Sequence, residues 1–394
     1  VHYAIDCAVK MRDGGDGMNL DKSSIGAHEV CVGRGSSMCN SKVVSFCCLL
    51  VLSAGSVSAQ TAGISAASTF VAGQTVTIQG AGFGVKTTPA PLYFWDFGNG
   101  ATQSSSLSRS AYADVIRGTL SNSLTAPNSK TALQVDMGGV ETAAGPTNGV
   151  KFTSTTMYVW IKHLYDFDIM KSSGANGFNL KTFRLWYPWT HSTYTFYQSK
   201  PTQSGASAER TQNGSVWLHM MPQKGVWQID EYDYQAGGVG VQNGIFQYTR
   251  NGILGWEPST RFLMRSSSLQ EQYNILFFDQ VSNNQVAPGT FQYIDSIYVD
   301  DTRQRVIVST EPTWRTQVNT GSIAEREVQI PLTWTDSQIE FIARQGSLNS
   351  FAGKYLYVID ADGNPISTKG FAITSGAGAN AAPSPSAPVA VTVH

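Results

Sequence analysis

Hydrophobic and polar positions alternate with a period of two along much of the chain, and the clearest case lies near its middle. From Trp227, the order WQIDEYDY sets Trp227, Ile229, Glu231 and Asp233 against Gln228, Asp230, Tyr232 and Tyr234. Successive side chains of an extended chain point to opposite faces, so this pattern predicts a strand with two unlike faces. A glycine-rich loop follows, then Asn243-Gly244, the alternating run Ile245–Arg250, and Asn251-Gly252. Each Asn-Gly pair is a turn signal suited to positive φ. The prediction is strand, loop, strand, turn.

Further strand-like runs fall at 155–163, 181–187, 193–198, 216–221, 261–265, 275–279 and 293–299. An aromatic strand is expected at 91–100, PLYFWDFGNG, and almost nothing reads as a long helix. Near the front, 64–85 alternates Thr75, Thr77 and Gln79 against Val76 and Ile78 before a glycine-rich turn. Two more alternating strands and a hairpin around Asp362-Gly363 are expected within 327–371. The chain is therefore expected to be all-β.

Composition narrows the class. Lys and Arg number 27 against 28 Asp and Glu, with no basic run interleaved with aromatics, so a nucleic-acid footprint is missing. Few charges and abundant Gly, Ser, Thr, Asn and aromatics suit an extracellular β protein. Cys7, Cys31, Cys39, Cys47 and Cys48 all precede Gln60, so the folded part is expected to hold together by packing without disulfides.

The two ends read differently from the middle. Residues 1–37 show no periodicity and read as unstructured translation upstream of the true start. Lys42, the apolar run 43–52 and Val57-Ser58-Ala59 form a secretory signal at 38–59, cut after Ala59. The run is too short to span a bilayer, and the product is expected to be secreted, extracellular or at the cell surface. At the other end, 376–394 is a Pro/Ala/Ser-rich tail expected to be disordered.

Two family resemblances rest on these patterns. W-x-x-x-E-x-x-Y followed by N-G-x-F-x-x-x-x-N-G resembles the hairpin of concanavalin A-like jelly rolls, the superfamily of lectins, laminin-G modules, glucanases and polysaccharide lyases. YIDSIYVDD resembles the closing strand of laminin-G-like modules. Separately, Gly73, Val76, Thr77, Ile78, Gly80, Phe83 and Gly84 resemble the opening of an IPT/TIG immunoglobulin-like domain. The rest of that pattern appears only at Trp334, Asp336, Gln338, Ile339, Phe341, Gly353, Tyr355, Val358 and Asp362-Gly363. Two half-sandwiches would leave exposed edges and unfilled cores. The expectation is one small sandwich, 60–91 plus 313–375, with a concanavalin A-like jelly roll, 92–312, inserted into it.

What the resemblance implies about chemistry is less complete. Retaining glucanases of the superfamily use E-x-D-x-E; Glu231-x-Asp233-x-Gln235 lacks the third carboxylate, and an amide cannot protonate a leaving oxygen. The strand beginning at Leu180 carries Arg184 and Trp186, which with Tyr194 and Trp217 would suit a polysaccharide, since aromatic faces stack on sugar rings and guanidinium forks carboxylates. Aromatics on strands more often fill cores. A lyase of acidic polysaccharide would need a cation or amide to neutralise the uronate and a Tyr or His to move the proton. Arg184, His219, Gln228, Glu231 and Tyr232 supply the types, with His163 and Tyr165 as further candidates, but their spacing does not match the lyase strand motifs. No cofactor is implied outright; Asp96, Asp295, Asp300 and Asp301 would supply oxygen donors for a structural calcium where first and last strands meet, although loop aspartates are more often turn formers. No zinc spacing, nucleophile elbow or phosphate loop is present.

These readings point to a secreted polysaccharide-binding β-sandwich. A polysaccharide-degrading enzyme, lyase before glycoside hydrolase, and a structural or adhesive surface protein are the alternatives.

Overall fold

The computed structural model describes residues 62–374 except 102–113, 117, 137–141, 147–149, 152–154, 168–179, 187–192, 199–205, 212–213, 218–222, 256–259, 264–274, 278, 283–288 and 319–320. The described residues form antiparallel sheets, and their only helical piece is the 3-10 turn Phe97–Asn99. The chain is all-β, as its alternation predicts. The upstream segment, the signal at 38–59, all five cysteines and the tail lie outside the described residues.

An eight-stranded sheet runs Ile253–Leu254, Ile245–Arg250, Gln228–Gln235, Thr156–Tyr165, Phe291–Asp300, Ala132–Asp136, Thr119–Ser121. Its eighth strand, Tyr93–Asp96, shares an edge of Phe291–Asp300 with Ala132–Asp136, one pairing each end. The central strands TMYVWIKHLY and FQYIDSIYVD are buried along almost their whole length. They carry aromatic and β-branched residues on both faces because both faces are covered.

The hairpin at the heart of the sequence forms in unbroken register, Asp230 opposite Arg250 through Gln235 opposite Ile245. Asn251 and Gly252 take φ of 47° and 72°, the left-handed conformation a two-residue turn between Arg250 and Ile253 requires. Asn243-Gly244 behaves differently. Neither residue has positive φ; Gly244 instead exchanges two backbone hydrogen bonds of 2.9 Å with Phe262.

A nine-stranded sheet contains Gly214–Trp217, Ala206–Thr211, Thr193–Gln198, Leu180–Trp186, Asp279–Ser282, Thr142–Pro146 and Asp114–Ile116, with Ile275–Phe277 and Val150–Lys151 alongside. For these strands only the backbone course is described. The expected strand at 275–279 is two short ones, and the one at 261–265 is reduced, among the described residues, to the isolated bridge at Phe262.

Two four-stranded sheets join the ends of the described chain. One runs Gly63–Ala67, Thr75–Ala81, Gln338–Ile342, Ile330–Trp334; the other runs Arg326–Val328, Arg305–Ser309, Tyr355–Ile359, Phe371–Ala372. Gln79 and Gln338, 259 positions apart, pair in register and share an amide hydrogen bond of 2.8 Å. Val76, Ile78, Ile339 and Phe341 meet Val306, Val308, Leu356 and Val358 in one buried cluster, with Phe70, Phe83 and Trp334. Arg305–Ser309 lies ahead of position 313, where the sequence put the start of the second segment, yet it pairs with both Arg326–Val328 and Tyr355–Ile359.

Strand RVIVS is buried at every position because its sheet is covered twice. Val306 and Val308 face the small core, while Ile307, with Val328, Tyr357 and Ile359, packs against Tyr158, Trp160, Ile229 and Tyr298 of the eight-stranded sheet. That contact positions the site.

Candidate functional site

Alternation along Gln228–Gln235 sends Ile229, Glu231 and Asp233 toward the small sheet, and there a cavity of about 370 Å³ opens. Tyr158, Glu231 and Asp233 line it from the large sheet, and Arg303, Arg305, Trp314, Arg315 and Arg326 from the chain that returns to the small one. Arg261, Thr316 and Asp362 are exposed at its mouth.

The arginines are held in place from behind. Arg303 donates to Asp233 at 2.5 and 3.3 Å, and Arg305 approaches the same carboxylate at 3.5 Å. Arg305 lies over the Tyr158 ring at 3.9 Å and Arg326 over Trp314 at 3.8 Å. Glu311 accepts from Arg326 at 2.9 and 3.1 Å and pairs with Arg315 at 2.6 Å. Tyr158 donates its hydroxyl to Glu231 at 2.7 Å, and Arg326 stands 3.6 Å from the other oxygen of that carboxylate. Burial, reinforced by Glu231, pushes the Tyr158 hydroxyl well above the usual tyrosine pKa, so it stays a donor. Burial opposes the charge on Arg305, but Tyr158, Asp233 and Glu231 outweigh it and raise its pKa.

On the other face of the same strand lies a closed polar network. Arg250 forks Asp230 through Nε at 2.7 Å and Nη2 at 2.6 Å, and His163 Nε2 stands 3.1 Å from Asp230. Gln292 meets His163 Nδ1 at 2.7 Å and donates to the Tyr165 hydroxyl at 3.3 Å. His163, Asp230 and Gln292 have no exposed surface. Burial works against the Asp230 carboxylate, yet Arg250 and His163 outweigh it and hold its pKa well below the usual range.

The residues expected from sequence divide accordingly. Glu231 lines the cavity, while Gln228 and Tyr232 lie buried on the opposite face, so these three of the expected catalytic residues do not converge. Tyr232 instead reaches Asp230 at 3.4 Å and packs on Tyr248. His163 and Tyr165 do meet, but inside the sealed network. His219 lies outside the described residues, as do the side chains of Arg184, Trp186, Tyr194 and Trp217. The backbone register pairs Arg184 with Thr195, Trp186 with Thr193 and Tyr194 with Leu185. Trp217 pairs with Ser207, and Ser207 with Tyr197.

The calcium expectation is corrected. Asp300 accepts from Lys86 at 2.6 Å and from the Tyr298 hydroxyl at 2.9 Å, so its charge is already balanced. Asp295 is the extra residue of a bulge and takes the hydroxyls of Ser129 and Ser296 at 2.5 and 2.8 Å. Asp96 accepts from Asn99 at 2.7 Å, and Asp301 offers its backbone carbonyl to Thr156 at 2.6 Å. These residues do not gather, and among the described residues no cluster of three His, Cys, Asp or Glu side chains could hold a metal.

Sequence reading missed Arg303, Arg305, Arg315 and Arg326. The signal available was an arginine-rich stretch in a chain poor in charge, with Arg303 and Arg305 two positions apart.

Fold and site together define an antiparallel β-sandwich protein with a charged cavity between a large sheet and a small one. No protein-family model matches the chain, and no curated protein matches it in sequence. Among solved structures it is similar to the binding domain of botulinum neurotoxin serotype D, at 7% identity and a TM-score of 0.37 over 54% of this chain and 48% of that one. It is also similar to a PL-14 alginate lyase from Aplysia kurodai, at 9% identity and a TM-score of 0.36 over 53% of this chain and 98% of that one. An endo-beta-1,4-glucuronan lyase from Trichoderma reesei stands at 10% identity and 0.36, over 53% and 95%. The chain spans about half the length of the botulinum serotype D and mosaic C/D binding domains it matches. Likenesses this distant assign neither site nor activity. Among the described residues no helix is long and apolar enough to cross a membrane.

Proposed function

We propose that the protein is an exported polysaccharide-binding β-sandwich, acting outside the cell or at its surface, that receives part of a glycan in the cavity beside Gln228–Gln235. The observation that carries this reading is the lining. Within about 370 Å³, guanidinium, carboxylate, amide and hydroxyl groups converge from two sheets, and stacking on Tyr158 and Trp314 keeps two of the arginines in fixed planes. That volume lies within the range of small-molecule sites, and forked donors and acceptors match the paired hydroxyls of a sugar ring. In this reading the small sandwich is the IPT-like module, split by the larger one. Arg184, Trp186, Tyr194 and Trp217 are proposed as a second set of sugar contacts.

Binding without turnover fits the cavity better than catalysis. Asp233 is engaged by two arginines and Glu231 by Tyr158 and Arg326, so both carboxylates are already tied to protein partners, whereas a catalytic pair must converge on the bond to be broken.

Purified protein run through native gels containing a panel of soluble polysaccharides, with products assayed in parallel, tests the proposal. Retention without new reducing or unsaturated ends is expected. Gln247→Ala in the lining and Thr316→Ala at the mouth should each weaken retention by about threefold to tenfold, the worth of a lost hydrogen bond. Retention on none of the panel refutes glycan binding, and product release would transfer the protein to the enzymes.

A further inference from the structure

We infer that the cavity is built for an anionic substituent, a carboxylate or sulfate carried by an acidic glycan. This inference rests on the glycan reading of the same cavity and specifies its ligand. Five arginines line it against three carboxylates, Glu231, Asp233 and Asp362. More telling is what those arginines leave unused. Arg303 Nη1, Arg305 Nε and Arg315 Nη1 are buried without a hydrogen-bond partner, three donors against a single lining acceptor in the same condition, Glu231 Oε1, which has Arg326 3.6 Å away.

A buried donor without an acceptor is costly, and protein interiors rarely leave one unmatched. Here three belong to guanidinium groups whose other nitrogens are anchored, Arg303 by Asp233, Arg305 by the carbonyl of Arg303 at 2.8 Å, and Arg315 by Glu311 and the carbonyl of Ser322 at 2.6 Å. They cannot swing away to find partners without giving up those bonds. Burial also lowers the pKa of Arg315, with Glu311 opposing and the like charge of Arg326 adding to the effect. Counting Glu311, which pairs with Arg315 and Arg326 from behind, the five guanidinium groups still outnumber the carboxylates around them.

The chemistry of the missing partner follows. Guanidinium offers donors and no acceptor, so a sugar hydroxyl that accepts from it still has its own O–H to place in donor-rich surroundings. A carboxylate or sulfate is acceptor-only and carries the opposite charge, matching both the hydrogen-bond count and the field.

Equilibrium binding of the full protein to four probes tests this: polygalacturonate, the same polymer after carboxyl reduction, dextran sulfate, and dextran. The acidic members should bind at least about tenfold more tightly than their neutral counterparts, with affinity falling as salt rises. Arg315→Gln, the least buried of the three, should weaken acidic binding about tenfold, and any fall in melting temperature is bounded because Glu311 keeps Arg326 as a partner. Arg261→Gln at the exposed mouth gives the same comparison should the first variant fold poorly. Polygalacturonate against dextran sulfate decides between carboxylate and sulfate. Equal binding of acidic and neutral probes overturns the anion inference and leaves glycan binding intact, whereas retention of none overturns both. Acid-selective binding indifferent to Arg315→Gln and Arg261→Gln also overturns it, since charge would then be read elsewhere.

Discussion

Replacing Arg250 by Met tests whether the inner network is a sealed, charged pair. Asp230 has no exposed surface and Arg250 is 4% exposed, with both guanidinium contacts between 2.6 and 2.7 Å. Removing one partner of such a pair strands the other's charge out of water, which costs about 3–5 kcal/mol. Asp230→Leu should cost a similar amount by stranding Arg250. Replacing both with apolar residues leaves no charge stranded, so the double variant should be more stable than the sum of the single losses predicts by about 2 kcal/mol or more. With a guanidinium dependence of about 5 kcal/mol per molar for a chain of this size, each single change lowers the unfolding midpoint by roughly 0.6–1 M.

The pH dependence gives a second reading of the same pair. The Asp230 carboxyl is held below its usual range in the folded state, so its stabilisation is complete above the unfolded value of about 3.9 and is lost as pH falls below it. Asp230→Leu should therefore flatten the acid limb of the stability profile. Single losses below about 1 kcal/mol, or strict additivity in the double variant, would refute the reasoning, because neither is compatible with a desolvated pair.

Two further expectations concern the junction and its tyrosines. Gly346 has φ of 53°, and a methyl group there would collide with the Glu327 carboxylate that pairs with buried Lys162, so Gly346→Ala should cost more than about 2 kcal/mol by denaturant unfolding; a loss under 1 kcal/mol would show that the loop yields freely. Burial, then Glu311, lifts the Tyr357 hydroxyl to about 12, and its stabilisation is full below the unfolded value of about 10 and lost as pH rises from there. Tyr357→Phe should make the alkaline loss of stability shallower between about pH 10 and 12, and an unchanged slope would remove Tyr357 as its source.

The period-two pattern carried a good deal of the architecture. It located the Thr193–Gln198 and Ile245–Arg250 strands to the residue and the central long strands to within two, because alternation and Asn-Gly turn chemistry are local properties. Asn251-Gly252 worked as a turn, but Asn243-Gly244 did not, since pairing with Phe262 set its backbone instead. The calcium reading failed for a related reason: aspartates near one another in sequence were matched individually to Lys86 and Ser129, far away along the chain.

By itself, then, the sequence determined that this is an antiparallel β protein and that Gln228–Gln235 has two unlike faces. It could not say which partner each face would meet. Tertiary structure decided that Glu231 and Asp233 turn toward arginines from 303 to 326, whereas Asp230 turns inward to His163 and Arg250. Alternation fixes only the parity of a side chain, while the charge facing it across the junction comes from residues 70 or more positions away, brought there by sheet packing.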